Sequence, residues 1–424
     1  MNVLLIGSGG REHALAWKLA QDPGVTELTC APGNAGMAEV ANIVDVAADD
    51  YVGLVALVQR GGYDFVVIGP EAPLAAGLVD ALAEMGVSCF GPTQAAAQLE
   101  SSKAFTKDFC TRYHIPTAGY GTFTDAAEAK AFLSEMKPPY VLKSDGLAAG
   151  KGVVIVDTRE EAEAELDEFL SGKFGDASST VVIEEFMHGQ EASFFALCDG
   201  DTALPLIAAQ DHKRAFDGDE GPNTGGMGAY SPAPVFTDAV RDRVMAEIII
   251  PTLHGMKKEG HPFRGVLFAG LMITEDGPKL IEYNVRFGDP ECQVVMRRLQ
   301  SDLLPLLLAS ANGTLADVEA PAWFSDPVVN VVLAAKGYPG SYKKGTVING
   351  VKDVNEREGV VVFHAGTRRG RNCGKLKANG GRVLGVTASG DTLQDAVARA
   401  YEAVDGVKWS AKQYRTDIAA KALG

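Results

Sequence analysis

The sequence predicts a multidomain α/β and α+β protein, and three observations carry that prediction. The chain has 424 residues, 46% hydrophobic and 22% charged, an ordinary balance for globular protein at a length calling for roughly two to four domains. Its first hundred residues alternate short apolar runs with helical stretches, the signature of βαβ units and a parallel sheet. Beyond residue 120, strands are separated by long insertions, and a polar, proline-containing stretch, Thr314 to Pro327, reads as a linker to a last domain of about 100 residues.

Val3 to Ile6 reads as the first strand, followed by a helix from about Arg11; strands follow at Thr26 to Cys30, Phe65 to Ile68 and Val87 to Phe90, with a helix from about Leu74. The strand ends carry Gly-Ser-Gly-Gly, Ala-Pro-Gly-Asn-Ala-Gly, Gly-Pro-Glu-Ala-Pro and Gly-Pro-Thr, and the carboxyl ends of strands in an open α/β sheet form the ligand crevice. A helix at Ser101 to His114 carries Lys103 and Lys107, and Pro116 opens a second unit. Strands are expected there at Tyr140 to Lys143, Gly152 to Asp157 and Thr180 to Phe186, around a helix at Arg159 to Leu170. Further strands are expected at Phe194 to Cys198, Leu204 to Ala208, Gly265 to Ile273 and Lys279 to Asn284, then a helix at Asp302 to Ala311.

With 39 Lys and Arg against 55 Asp and Glu, the net charge is −16. Such a surface is not built to neutralise nucleic-acid phosphates or anionic lipid, so an anionic substrate must be held locally. No nucleic-acid or membrane partner is expected. The first residues lack the pattern of a signal peptide and no apolar run is long enough to span a bilayer, which places the protein in the cytoplasm. Six scattered cysteines, without a CxxC pair, read as reduced thiols rather than disulfides or a zinc site.

Gly7-Ser-Gly-Gly10 follows the first strand and opens a helix, so its amides can face a phosphate. A dinucleotide is disfavoured, because Glu12 replaces the third glycine of GxGxxG and the second strand ends without an acidic residue for a ribose. A smaller phosphorylated substrate and a bare turn remain open. Lys143-Ser-Asp-Gly-Leu-Ala-Ala-Gly-Lys-Gly152 joins two strands; its glycines let the backbone approach a polyphosphate while lysines supply charge. No Ser or Thr follows Lys151, so it is not a Walker A loop, and taken alone it could equally be a glycine-rich hairpin.

Glu184, Glu185 and Phe186 end a strand, Glu191 follows shortly, and period-two geometry sets Glu282, Asn284 and Arg286 on one strand face. Two oxygens and a guanidinium suit Mg²⁺ and phosphate, since Mg²⁺ takes one or two protein oxygens plus nucleotide phosphates; the bland alternative is a solvated edge. Gly221 to Gly228 is a glycine-dense loop bearing Asn223 and Thr224, fit to wrap a small polar ligand. In Gln210-Asp-His-Lys-Arg214, His212 reads as a structural donor rather than a base, and Lys213 as the better candidate for phosphate. Arg368, Arg369, Arg371, Lys375 and Lys377 read as a solvated loop.

Gly7-Ser-Gly-Gly-Arg-Glu-His13, Asp145 to Gly152, Gln210 to Arg214, Pro222 to Pro232 and Arg286-Phe-Gly-Asp-Pro-Glu-Cys-Gln293, with Phe363 to Thr367 and Asn379 to Leu384, resemble the glycinamide ribonucleotide synthetases over essentially the whole chain. Ser144 departs, standing where a small apolar residue is expected. The resemblance implies an ATP-grasp fold with a Rossmann-like N-terminal domain over 1–100, a central domain over 101–121 and 191–323, a lid over 122–190 and a small C-terminal α+β domain over 324–424. It implies ligation of glycine to 5-phosphoribosylamine with ATP, through glycyl phosphate.

It also implies site residues. Lys103, Lys143, Gly146, Gly150, Lys151 and Gly152 would hold ATP phosphates, Glu184 to Phe186 adenine through the backbone, and Glu191 the ribose. Glu282 and Asn284 would hold Mg²⁺ or Mn²⁺, while Arg286, Lys213, Asn223, Thr224, Gly225 and Gly226 would seat the acyl phosphate. Gly9, Gly10 and Glu71 would hold phosphoribosylamine, and Asp289 would be a further substrate-binding residue. A monomer or small homo-oligomer is expected. Another carboxylate–amine ligase on the same fold is the alternative; a regulatory protein without turnover would have lost the metal carboxylate or the phosphate lysines, all of which are present.

Overall fold

A computed structural model describes residues 1–147, 152–172, 180–370 and 374–424. The first sheet has five parallel strands, in the spatial order Asn42–Ile43, Glu27–Pro32, Asn2–Gly7, Phe65–Ile68, Ser88–Phe90. The run Val3-Leu-Leu-Ile6 is apolar throughout because both sheet faces are covered: Val3 and Leu5 enter one core, Leu4 and Ile6 another. The helix expected from Leu74 is two shorter ones, Glu71–Ala75 and Leu78–Glu84, divided at Gly77, whose φ of 82° suits glycine.

A four-stranded antiparallel sheet follows the order Ala203–Pro205, Gln190–Asp199, Arg264–Thr274, Gly277–Asn284. It lies between the same two cores, with Phe195 and Leu197 facing one and Phe194, Ala196 and Cys198 the other. A second four-stranded sheet, Tyr120–Phe123, Val181–Glu185, Tyr140–Ser144, Val153–Val156, packs with helices Ala126–Leu133 and Arg159–Leu170 around its own core. Asp125 and Thr158 cap those helices by accepting from their first-turn amides.

The C-terminal sheet is not built from C-terminal residues alone. Strands Gln210–Asp211 and Gly228–Ser231 extend it beside Val328–Ala335, Arg382–Ser389 and Val360–His364. The expected linker is likewise packed: Leu315 is buried and donates its amide to Asp199, and the Phe324 amide donates to the Arg298 carbonyl. Trp323 and Leu315 anchor this polar stretch to the core, a contribution that its composition hides. The five described cysteines are free thiols. Among the described residues no helix is long and apolar enough to cross a membrane.

Candidate active site

The Gly7 to Gly10 turn is filled from within. Glu12 folds back so that its carboxylate accepts from the Gly9 amide at 2.7 Å and pairs with Arg11. A Cβ at Gly7 or Gly69 would lie 2.4 or 2.3 Å from Glu12 atoms, so these glycines make room for a carboxylate. The Asp289 carboxylate accepts from the Arg11 amide at 3.3 Å, and Gln293 lies against Gly10. Two carboxylates at this helix start stabilise it as anions do, and they suit hydroxyl or amine groups of a ligand better than its phosphate.

Beside the turn runs a chain of alternating charges. Glu71 lies 3.8 Å from Arg11 and 3.2 Å from Arg286, and Arg286 lies 2.9 Å from Glu100. Burial would push the Glu71 carboxyl up, but Arg286 and Arg11 hold it at about 2. Glu100, more deeply enclosed, is pushed up by burial despite Arg286. Arg286 thus lies beyond the strand of Glu282 and Asn284, held by Glu71 and Glu100 yet within electrostatic reach of Glu282. The strand ends at Asn284, and the turn that follows sends the guanidinium toward the first domain.

Glu282 and Asn284 do share a face. Gly270 pairs with Glu282 while Leu271 pairs with Leu280, so the backbone bulges around Ile281; Leu280 and Tyr283 are buried, whereas Glu282 and Asn284 are half-buried. Burial would raise the Glu282 carboxyl, but Lys213, Lys143, Lys103 and Arg286 lower it. Lys213 donates to Glu191 at 2.6 Å, occupying the carboxylate assigned to the ribose. Burial opposes charge on Lys213, yet Glu191, Asp211 and Glu282 raise its proton affinity. Asp211 is pushed up to about 7 by burial, against the pull of Lys213.

Lys143 and Lys107 lie on either side of Glu184, each 2.9 Å from one of its carboxylate oxygens. Lys107 also donates to Thr117 at 2.7 Å, and Thr117 to the Leu280 carbonyl at 2.7 Å. This buried triad joins the 140–144 and 181–185 strands to the bulged strand. The Glu184 carboxylate thus has a structural partner set beyond its expected backbone role. The Glu185 amide donates to the Gly119 carbonyl at 2.8 Å, leaving it unavailable to adenine; Phe186 packs edge-on to His188. Lys103 donates to the Gly146 carbonyl at 3.2 Å. Gly152 accepts from the Ser144 amide at 2.8 Å, while Gly150 and Lys151 lie outside the described residues.

The loop from Asn223 to Gly226 is held by both neighbouring units. Thr224 donates its amide and hydroxyl to the Lys213 carbonyl, each at 2.8 Å, and Gly225 donates to the Tyr338 hydroxyl at 3.1 Å. Gly226 has φ 109° and would place a Cβ 2.3 Å from Pro290, so glycine is required twice over. Arg382 donates to the carbonyls of Gly225 and Asp289, tying the loop to the Asp289 turn. Asn223 pairs with Arg214 in a short hairpin. His212 is buried against Tyr230, and burial holds it at about 4, in keeping with a structural residue.

Among the described residues no three His, Cys, Asp or Glu side chains converge into a metal cage. Two hard oxygen donors, Glu282 and Asn284, set among cations fit a divalent ion that completes its shell with phosphates and water.

Three family models match consecutive parts of the chain: the phosphoribosylglycinamide synthetase N domain over 1–100, its ATP-grasp (A) domain over 101–292 and its C domain over 328–421. The chain belongs to the phosphoribosylglycinamide synthetase family. Relatives named phosphoribosylamine–glycine ligase include one from Caulobacter vibrioides, 58% identical over 423 residues, covering 100% of this chain and 99% of the relative. Another, from Vibrio vulnificus, is 53% identical over 427 residues, again covering 100% and 99%. The crystal structure of phosphoribosylamine–glycine ligase from Thermotoga maritima superposes with TM-score 0.86 at 35% identity, over 99% of this chain and 100% of that one. A biotin carboxylase from Campylobacter jejuni in complex with β-γ-ATP superposes with TM-score 0.75 at 15% identity, covering 97% and 93%; that likeness concerns the fold alone.

Within this synthetase family member, the structure brings Lys103, Lys143, Lys213 and Arg286 within electrostatic reach of Glu282, and joins Glu71 to Arg286. Arg11, Glu100 and Arg382 were not singled out from the sequence. Arg11 and Arg382 sit inside the family's own motifs, GREH and NGGRVL, which was the available signal. Glu100 had none, and Lys107 was visible only as a second lysine one turn beyond Lys103.

Proposed function

We propose that this chain catalyses the ATP-dependent ligation of glycine to 5-phosphoribosylamine, giving glycinamide ribonucleotide, ADP and phosphate, a step of purine biosynthesis. The observation that carries this reading is the gathering of four cations around the Glu282–Asn284 face in a chain whose whole length matches the family. A glycine carboxylate oxygen attacks the γ-phosphorus and ADP leaves; the amine then attacks the acyl carbon, the C–O bond to phosphate breaks, and a proton is released. Both steps gather negative charge, so positioning and electrostatic stabilisation supply the catalysis, in keeping with the absence of any nucleophilic triad from the sequence.

Lys103, Lys143, Lys151 and the glycines 146, 150 and 152 contact ATP phosphates, with adenine near Glu184 to Phe186 and ribose near Glu191. Lys213, Arg286, Asn223 and Thr224 to Gly226 seat the acyl phosphate. Gly9, Gly10 and Glu71 receive phosphoribosylamine, with Asp289 a further substrate-binding residue. Glu282 and Asn284 hold Mg²⁺ or Mn²⁺, which when bound neutralises phosphate charge and draws electrons from the γ-phosphorus. The same reading makes 122–190 a lid over a core of 101–121 and 191–323, flanked by 1–100 and 324–424. It places the protein in the cytoplasm as a monomer or small homo-oligomer acting on small molecules.

The test is incubation with MgATP and freshly made phosphoribosylamine, with and without glycine, following ADP and the mass of the product. Glycine-dependent appearance of the ribonucleotide is expected; product formation with another acid in place of glycine would reassign the substrate.

A further inference from the structure

Arg286 has three partners. Its Nε donates to Glu71 at 3.2 Å, its Nη1 to the Phe287 carbonyl at 3.2 Å, and its Nη2 meets Glu100 at 2.9 Å. The two carboxylates differ in kind. Glu100 is deeply buried and fixed, its second oxygen accepting from the Val285 amide at 2.8 Å. Glu71 comes from the first domain, opens a short helix beside the Gly7 to Gly10 turn, and keeps 31% of its side chain exposed. One partner is enclosed; the other, which also lies 3.8 Å from Arg11, reaches solvent.

Resting on the function proposed above, we infer that Glu71 is a coupling residue: with the phosphoribosylamine site empty it holds Arg286, and its transfer to the incoming amine or sugar hydroxyls frees Arg286 for the acyl phosphate. The same carboxylate thus stands at both sites, as the expected acceptor contact and as the observed partner of the residue expected to stabilise the intermediate. The chemistry gives a reason for such a link. Glycyl phosphate formed without an acceptor is open to water, which attacks the acyl carbon, breaks the C–O bond to phosphate and returns glycine and phosphate. The net change is then ATP plus water to ADP plus phosphate. A guanidinium withheld until the amine arrives suppresses that loss, because an anionic acyl phosphate facing Arg286 must compete with Glu71 for the same donors.

Glu71 is a positioning residue in this account, so its removal must alter coupling and not only binding. The experiment compares wild type with Glu71→Ala and Glu71→Gln, measuring ADP release with ATP and glycine but no phosphoribosylamine, and the ratio of ribonucleotide formed to ADP released when the acceptor is present. Glu71→Ala should raise acceptor-independent, glycine-dependent ADP release at least tenfold and bring the product ratio below one. Glu71→Gln, which keeps shape and loses charge, should fall between, and thermal melts of both report whether the fold is kept. Acceptor-independent ADP release unchanged in both variants, with only the KM for phosphoribosylamine raised, would overturn the inference and leave Glu71 a binding residue. Wild type releasing ADP from glycine alone at its full turnover rate would overturn it too. Failure of wild type to form any ribonucleotide would instead sink the functional reading itself.

Discussion

Replacing Glu184 with Gln removes the carboxylate that lies between two buried ammonium groups. Glu184, Lys107 and Lys143 have side chains only 2%, 3% and 5% exposed, and both ion-pair distances are 2.9 Å. At an effective dielectric of about 20, each contact is worth about 6 kcal/mol of attraction before desolvation is subtracted. Breaking a buried pair by removing one partner typically costs about 3 to 5 kcal/mol, and that is the expected loss in the opening free energy of strands Tyr140–Ser144 and Val181–Glu185. Burial already lowers the proton affinity of Lys107 in spite of Glu184; without the carboxylate it should fall further. A lysine whose folded value lies below its unfolded one favours folding more as pH rises, so the variant should regain stability toward pH 10.5, the ordinary lysine value. The assay is amide hydrogen exchange of the two strands in the full chain, at neutral and alkaline pH, for Glu184→Gln and for Glu184→Gln with Lys107→Met, which removes one charge of each sign and should recover part of the loss. A change under about 1 kcal/mol, with no recovery in the double variant, would mean that the triad does not hold these strands in place.

Three other outcomes are expected. Glu282→Gln should reduce turnover by orders of magnitude, several kcal/mol of transition-state stabilisation, with the fold retained; near-wild-type ADP release at low Mg²⁺ would remove Glu282 from the metal site. Ser144 is fully buried with its hydroxyl lacking a hydrogen-bond partner among the described residues, so Ser144→Ala should be neutral or stabilising by about 1 kcal/mol in thermal melts, and a marked loss of stability would show that the hydroxyl is satisfied. At the contact of the first and last domains the His364 amide donates to His13 Nδ1 at 2.7 Å, and burial holds His364 at about 4 and His13 below its ordinary value. Folded values below the unfolded 6.5 mean stability is fully present above pH 6.5 and lost as pH falls toward 4, by about 3 kcal/mol for His364 at most; urea midpoints that stay flat from pH 7 to 5 would contradict this.

Much of this protein was legible without coordinates, because the signals are local. Apolar runs such as Val3 to Ile6 and Phe65 to Ile68 mark strands buried on both faces, and the order of strand and helix dictates a parallel sheet. The glycines at 225 and 226 and the Glu-x-Asn pair at 282 and 284 stand out as candidates within a few residues. What only the tertiary structure decided are pairings between distant segments, since a charge in the sequence does not name its partner. Arg286 follows Asn284 by two residues, yet its guanidinium belongs to Glu71 and Glu100, 215 and 186 positions away. Lys107 meets Glu184 only because helix and strand pack together, and the supposed linker is fastened by Leu315 and Trp323, whose destination lies in the core of other segments. Glu71 and Glu100 flank the same arginine, yet burial pushes the deeper one up while Arg286 and Arg11 together hold the shallower down, a balance that no order of residues encodes.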